Sequence, residues 1–150
     1  MNHTLYATLS AAVFSGLVGA SAAVADTSTT SAFLGMELTF GQSASGTVSP
    51  DIYVGIAHGN ASPYGNVTGA KATVAWDFTT GLTPSKVKLS GLAGRTYLQG
   101  EVGAGYSIAK GTPFFVGGVN GNHYAVGAEY YPNSGIGGYA GVQTLGSFKH

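Results

Sequence analysis

Two histidines and three serines are the residues of this sequence best suited to nucleophilic chemistry. His58 and His123 could each act as a base toward Ser62, Ser107 or Ser134. Such catalysis needs a histidine within hydrogen-bond reach of the serine and a carboxylate that orients the histidine. Neither histidine has a characteristic spacing to a serine or an acid, so two histidines at strand ends are the simpler interpretation. We therefore predict no catalytic residues and no enzymatic activity.

The amino-acid composition argues against several other kinds of functional site. The 150 residues include 25 glycines, six basic and six acidic residues and no cysteine, and the formal net charge is zero. The lack of cysteine excludes disulfides, thiol catalysis and cysteine-ligated zinc, and the neutral charge argues against nucleic acid as a partner. The glycine clusters do not follow the pattern of a phosphate-binding loop. We predict no cofactor and no metal site.

The first 25 residues are typical of an export signal. No charged residue occurs between Thr4 and Ala25, and the stretch closes with Ala23-Val24-Ala25 before Asp26. Small residues at these positions suit a signal peptidase that cuts after Ala25, whereas a membrane anchor helix is the alternative. We predict a signal peptide at 1–25, a short linker at 26–31 and one folded domain at 32–148.

The folded domain shows the two-residue hydrophobic period of β-strands, interrupted by glycine, proline, asparagine and serine. No segment has the pattern of an amphipathic helix, which this density of glycine would also disfavour. The eight predicted strands cover 32–40, 51–59, 67–78, 85–92, 96–108, 113–119, 123–131 and 137–148.

Seven charged residues lie inside the predicted strands, all on the face opposite the apolar one: Glu37, Lys71, Asp77, Lys86, Lys88, Glu101 and Glu129. The rest of that face is mostly Gly, Ala and Ser, which suits the crowded interior of a small barrel in which charges must pair. The apolar face suits lipid, where a sheet must close on itself to satisfy its backbone. We predict an all-β, eight-stranded, antiparallel up-and-down transmembrane barrel. Its charge network either holds the lumen shut or lines a narrow path for ions.

Aromatic residues recur near the ends of the predicted strands. This is the distribution of the two aromatic girdles that flank the apolar band of a membrane barrel. The predicted girdle residues are Phe40, Trp76, Phe78, Tyr106, Phe114, Tyr124, Tyr130 and Phe148.

The whole pattern resembles the small eight-stranded outer-membrane barrels of the OmpA transmembrane domain and OmpX class. The last segment, GYAGVQTLGSF at 138–148, is similar to the final strand by which such barrels are recognised for insertion, although Lys149 and His150 follow the phenylalanine. The resemblance implies a location in the outer membrane of a Gram-negative bacterium. It also implies contact with outer-membrane lipid and with the barrel-assembly machinery. We expect a monomer.

These observations favour a structural, envelope-integrity or surface-interaction role. The main alternative is a narrow porin-like channel for ions or small solutes. Some barrels of the class that this chain resembles are lipid A enzymes, so a lipid-modifying barrel is a further alternative. A secreted, fibre-forming β protein is the last, although the sequence has no internal repeat of fixed period.

Overall fold

Eight antiparallel strands form a closed barrel in which each strand pairs with its neighbours along the chain and β8 pairs with β1. A computed structural model of the chain describes residues 27–41, 48–79 and 81–148. The predicted all-β, eight-stranded up-and-down barrel is therefore confirmed. The strands are β1 (Thr27–Phe40), β2 (Ser49–Ala61), β3 (Asn66–Asp77), β4 (Thr83–Arg95), β5 (Leu98–Ser107), β6 (Thr112–Gly121), β7 (Tyr124–Tyr131) and β8 (Gly135–Gln143).

The barrel has two ends, which we name by their connections. The turn end carries the connections after β2, β4 and β6, at 62–65, 96–97 and 122–123. The loop end carries the connections after β1, β3, β5 and β7. Within the part of the chain that the structure describes, no helix is long and apolar enough to cross a membrane.

Two strand boundaries differ by five residues from the sequence-based prediction, and the others agree to within three residues. β1 begins at Thr27, so residues 27–31 belong to the strand rather than to a linker. β8 ends at Gln143 rather than at residue 148. The backbone N–H of Thr144 still donates to the carbonyl of Leu34 at 2.8 Å, and the chain then leaves the sheet. The predicted signal peptide at 1–25 lies outside the described residues.

The two faces of the sheet differ sharply in polarity. On β1, Leu34 and Met36 are 56% and 57% exposed, whereas Glu37 is buried in the barrel interior. On β5, Val102 is 72% exposed beside the buried Glu101. The pleat sends successive side chains to opposite faces, so the apolar positions of these strands point outward and the polar positions point inward.

Candidate functional site

The barrel interior holds most of the predicted charge network. Six of the seven charged residues predicted to lie there are no more than 7% exposed: Glu37, Lys71, Lys86, Lys88, Glu101 and Glu129. They do not form one network along the axis. Instead they divide into two groups, one in the half of the lumen near the turn end and one in the half near the loop end.

The turn-half network is built on the ion pair between Lys71 and Glu101, whose Nζ and Oε2 atoms are 2.8 Å apart. Lys71 also donates to Asn120 Oδ1 at 2.8 Å, and the Asn120 amide donates to Glu101 Oε2. The hydroxyl of Ser90 donates to Glu101 Oε1 at 2.6 Å. Both carboxylate oxygens of Glu101 therefore have donors, and one positive charge balances one negative charge.

The same network continues to the opposite wall through two neutral side chains. The Gln143 amide donates to Asn120 Oδ1 at 3.3 Å, and the Tyr53 hydroxyl donates to Gln143 Oε1 at 3.0 Å. Asn120, Gln143 and Tyr53 are not among the residues predicted from the sequence. Each lies at an inward-facing position in the alternation of its strand. This alternation is the feature of the sequence from which they could have been predicted.

The loop-half network centres on Lys86. Its Nζ lies 2.7 Å from Glu37 Oε1 and 3.0 Å from Glu129 Oε1, and it donates to Thr39 Oγ1 at 3.1 Å. Two further oxygens are more distant, Glu129 Oε2 at 3.4 Å and Asp51 Oδ2 at 3.5 Å. One lysine thus connects side chains from β1, β2, β4 and β7.

Lys88 adds the second positive charge of this half. Its Nζ lies 2.8 Å from Glu37 Oε2 and 3.3 Å from Glu129 Oε1, and 4.5 Å from the centre of the Tyr139 ring. Glu129, which is fully buried, also accepts a hydrogen bond from the Tyr131 hydroxyl at 3.1 Å. These contacts connect side chains from four strands, β1, β4, β7 and β8, across the lumen.

Asp51, the first residue of the predicted strand at 51–59, is a further member of this network. It is 5% exposed and lies inside, on the same face of β2 as Tyr53. With Asp51 included, two lysines face three carboxylates, so the loop-half network carries one surplus negative charge.

Asp77, the seventh predicted member, does not join the ion pairs of the network. Its Oδ1 accepts hydrogen bonds from the backbone N–H and the hydroxyl of Thr79, at 2.7 and 2.6 Å. The register of β3 and β4 shifts between Ala75 and Trp76, where Ser85 is the extra residue on β4, and Asp77 is the last residue of β3. Its carboxylate therefore caps the β3–β4 connection at the rim of the barrel.

A polar cavity of ≈ 210 Å³ opens at the loop end, above the loop-half network. Lys110 stands at this cavity with its Nζ 4.3 Å from the centre of the Tyr131 ring. Partial desolvation lowers the pKa of Lys110 below its ordinary value, and the nearby charge of Lys86 acts in the same direction. The cavity is lined by Thr39, Ser49, Asp51, Asp77, Ser85, Lys86, Ser107, Ala109, Lys110 and Tyr131.

Five of the predicted girdle residues lie exposed near strand ends: Phe40, Phe78, Tyr106, Tyr124 and Tyr130. Trp76 is partly buried. The prediction was wrong for Phe114, which is fully buried inside and stacks on Tyr131 with 4.9 Å between ring centres. The neighbouring Phe115 faces outward instead. Gly105 on β5 makes this possible, because a Cβ there would collide with the Phe114 ring.

The prediction was also wrong for Phe148, which is 3% exposed. Because the chain leaves the sheet after Gln143, residues 144–148 do not continue the strand. Leu145 and Phe148 turn into the lumen near the turn end, where the Phe148 ring occupies the space beside Gly59. We call the resulting cluster the apolar cap: Phe33, Tyr53, Ala57, Ala61, Val67, Ala75, Leu92, Leu145 and Phe148.

His58 contacts two hydroxyls, but neither belongs to a candidate serine. His58 Nδ1 lies 2.7 Å from Thr30 Oγ1, its cross-strand neighbour, and Nε2 lies 3.4 Å from Ser28 Oγ. Among the described residues, no carboxylate contacts His58. His123 Nδ1 instead lies 3.3 Å from the Gln143 carbonyl oxygen.

The three candidate serines form hydrogen bonds at the connections between strands. Ser62 Oγ accepts from the backbone of Asn66 at 3.2 Å, and Ser107 Oγ accepts from the backbone of Lys110 at 3.2 Å. The backbone N–H of Ser134 donates to the Tyr131 carbonyl at 3.1 Å. The structure therefore does not bring a serine, a histidine and an acid together at these positions.

No group of three or more His, Asp or Glu side chains that could hold a metal occurs within residues 27–41, 48–79 and 81–148. Comparisons of the chain with protein-family models, with curated proteins and with solved structures find no match.

Proposed function

We propose that this chain is a small outer-membrane β-barrel with a structural or surface-interaction role and a lumen that does not conduct ions. The observation that carries the proposal is the polarity of the wall, with apolar side chains outside and charges inside. A barrel in water would have the opposite arrangement, because monomeric soluble proteins rarely expose large continuous apolar patches. Lipid accepts such a surface.

The dimensions of the wall support the same interpretation. The strands are 8 to 14 residues long, and a tilted strand needs about 9–11 residues to cross the hydrocarbon core. Closure pairs β1 with β8, which leaves no sheet edge inside that layer. The exposed aromatics at both ends suit the interfaces with the headgroups.

The contents of the lumen support a closed barrel. The two charged networks cross the interior, and the apolar cap fills it near the turn end. An eight-stranded barrel has an interior just wide enough for its side chains. The ion pairs therefore hold the wall together rather than line a continuous aqueous path.

A matched pair of lysine substitutions tests the membrane location. Val102→Lys places a charge at a position on the outer wall that is 72% exposed, and Tyr64→Lys places it in the β2–β3 connection, at 85% exposure. In a water-soluble barrel both changes should be harmless. In a membrane barrel, Val102→Lys should reduce insertion into lipid vesicles, at a cost of about 2–4 kcal/mol if the site lies near the midplane. Tyr64→Lys should insert normally.

Insertion is measured by the heat-dependent mobility of the refolded protein on SDS gels, with and without boiling. Equal behaviour of the two variants, or a wild-type chain that stays soluble without lipid, would contradict the proposal. Single-channel recordings separate a closed barrel from the alternative, a narrow channel. We expect a silent bilayer. Discrete openings that change with Glu129→Gln would favour the channel.

The expectation that residues 138–148 are recognised by the assembly machinery stays a prediction, as does the monomeric state. Crosslinking of the nascent chain to that machinery would test the first. Recognition would then act on the segment before Leu145 and Phe148 enter the lumen.

A further inference from the structure

We infer that the loop-end cavity binds a small monovalent cation, such as Na⁺ or K⁺, between Asp51 and Ser85. Two buried polar atoms that line the cavity have no hydrogen-bond partner among the described residues, Asp51 Oδ1 and Ser85 Oγ. Their side chains are 5% and 8% exposed. An unpaired carboxylate oxygen is costly to bury, so this position favours a cation or a donor that enters from the cavity.

Lys86 contacts Asp51 through one oxygen and at the longest of its polar distances. An ammonium group has three N–H donors, and four closer oxygens already surround Lys86 Nζ. One each comes from Glu37 and Thr39, at 2.7 and 3.1 Å, and two come from Glu129, at 3.0 and 3.4 Å. Asp51 Oδ2 lies farther away, at 3.5 Å, and Oδ1, on a residue that lines the cavity, has no hydrogen-bond partner. The lysine therefore stabilises its two glutamates more strongly than it stabilises the aspartate.

The strand register concentrates negative charge at this position. Glu37 on β1 is the cross-strand partner of Asp51, and Asp51 is the partner of Asp77 on β3. Like charges directly opposite one another destabilise a sheet. A cation beside Asp51 would lie in the middle of this row of three carboxylates and reduce both repulsions.

The charge balance of the loop-half network and the oxygen ligands of the cavity indicate which class of ion would bind. The loop-half network lacks one positive charge. Counting Asp77 and Lys110, which also line the cavity, gives four carboxylates and three lysines, so the difference of one charge is unchanged. Residues 42–47 and Thr80 carry no ionisable side chain, so they do not alter this balance. One missing charge matches a monovalent ion. The available ligands are hard oxygen atoms, namely the Asp51 carboxylate and the hydroxyls of serines that line the cavity, such as Ser85. Alkali ions bind to oxygen ligands of this kind. The proximity of Lys86 disfavours a divalent ion.

The test compares NaCl and KCl with N-methyl-glucamine chloride at constant ionic strength, using the refolded barrel. The thermal unfolding midpoint is followed by the circular dichroism of the strands. We expect a saturable rise of roughly 3–5 °C with either alkali ion. Broadening of the sodium NMR line, reversed by KCl, gives a second readout of binding.

Two matched serine variants on β4 provide the control. Ser85→Ala removes a hydroxyl from the cavity, and Ser90→Ala removes one that donates to Glu101 in the other network. Asp51→Asn and Ser85→Ala should lose most of the ion-dependent shift and of the line broadening, and Ser90→Ala should keep both. The comparison uses the shift within each variant, so a lower overall stability does not obscure it.

Three results would overturn the inference. One is a shift that grows without saturation and is equal in wild type and Asp51→Asn. Another is saturable binding of Mg²⁺ or Ca²⁺ without an effect of Na⁺ or K⁺. The third is a wild-type chain without ion dependence that gains it on Lys110→Gln, since Lys110 would then be the counterion of Asp51. None of these depends on membrane insertion, which the Val102 and Tyr64 variants test separately.

Discussion

The two halves of the lumen solve the problem of buried charge differently. In the turn half, one lysine faces one glutamate, and every polar atom of the pair has a neutral partner such as Asn120 or Ser90. In the loop half, two lysines are shared among three carboxylates, and a polar cavity lies beside them. The first arrangement is self-contained, whereas the second depends on what enters from the open end. The contrast predicts that equivalent substitutions will have unequal effects.

The largest effect is expected from Lys86→Met. Its loss leaves Glu37, Glu129 and Asp51 with Lys88 as the one lysine of their network, and an uncompensated buried charge typically costs about 3–5 kcal/mol. Urea unfolding of the refolded protein measures the loss. Lys110→Met, an exposed lysine at the same cavity, is the control and should cost less than about 1 kcal/mol. Similar losses for the two lysines would show that the shared position of Lys86 is unimportant.

The turn half should depend more on its apolar cap than on its ion pair. Phe148→Ala removes a buried ring beside Gly59 and should cost about 3 kcal/mol in the free energy of unfolding. Phe115→Ala removes an outward ring of the same size, which is 57% exposed, and should cost clearly less. The same urea titration compares them. A harmless Phe148→Ala would mean that residues 144–148 do not stabilise the lumen.

A double-mutant cycle on Lys71 and Glu101 tests whether the turn-half pair is self-contained. Lys71→Met alone should cost about 2–3 kcal/mol because it leaves Glu101 without its counterion. Adding Glu101→Gln should return the stability to within about 1 kcal/mol of wild type. The amide oxygen can accept from Ser90 or Asn120, and the amide NH2 can donate to the oxygen of the other. A double variant no better than Lys71→Met would show that the charges themselves are required.

The smallest effect is expected from Asp51→Asn in buffer without alkali ions. The substitution removes the surplus charge of the loop half and keeps the shape of the side chain. The free energy of unfolding should change by less than about 1 kcal/mol, because Lys86 retains its closer contacts with both glutamates. A loss comparable with that of Lys86→Met would mean that Asp51 is a full member of the ion-pair network.

The fold was predictable because the sequence repeats one simple pattern. Alternation identified all eight strands, and it put six charges on the inner face, where the structure has them. The same parity applies to Asp51, which stands at the start of β2 and was set aside as a terminal charge. The division into two networks depends on distances across the lumen, which no pattern along one strand contains.

The errors arose where alternation gives no answer. Because Phe114 and Phe115 are adjacent, the alternation of β6 allows either ring to point into the lumen. The space beside Gly105 on the neighbouring strand β5 admits the Phe114 ring. Similarly, the alternation of β8 continues past Gln143 in the sequence. The end of the strand is instead set by packing of Leu145 and Phe148 into the lumen. Both outcomes depend on neighbours that are distant in the sequence.

The seam between β1 and β8 has a consequence for how the barrel forms. The other ladders join strands that are adjacent along the chain, whereas this one joins Gly35–Phe40 to residues 138–143. It is also the shortest ladder among the described strands, and β1 pairs with β2 from Thr27 to Thr39. The loop-closure entropy is largest for this contact, so hairpins form first and closure comes last. Amide hydrogens along the seam should then exchange fastest, and the wall should open there before it opens anywhere else.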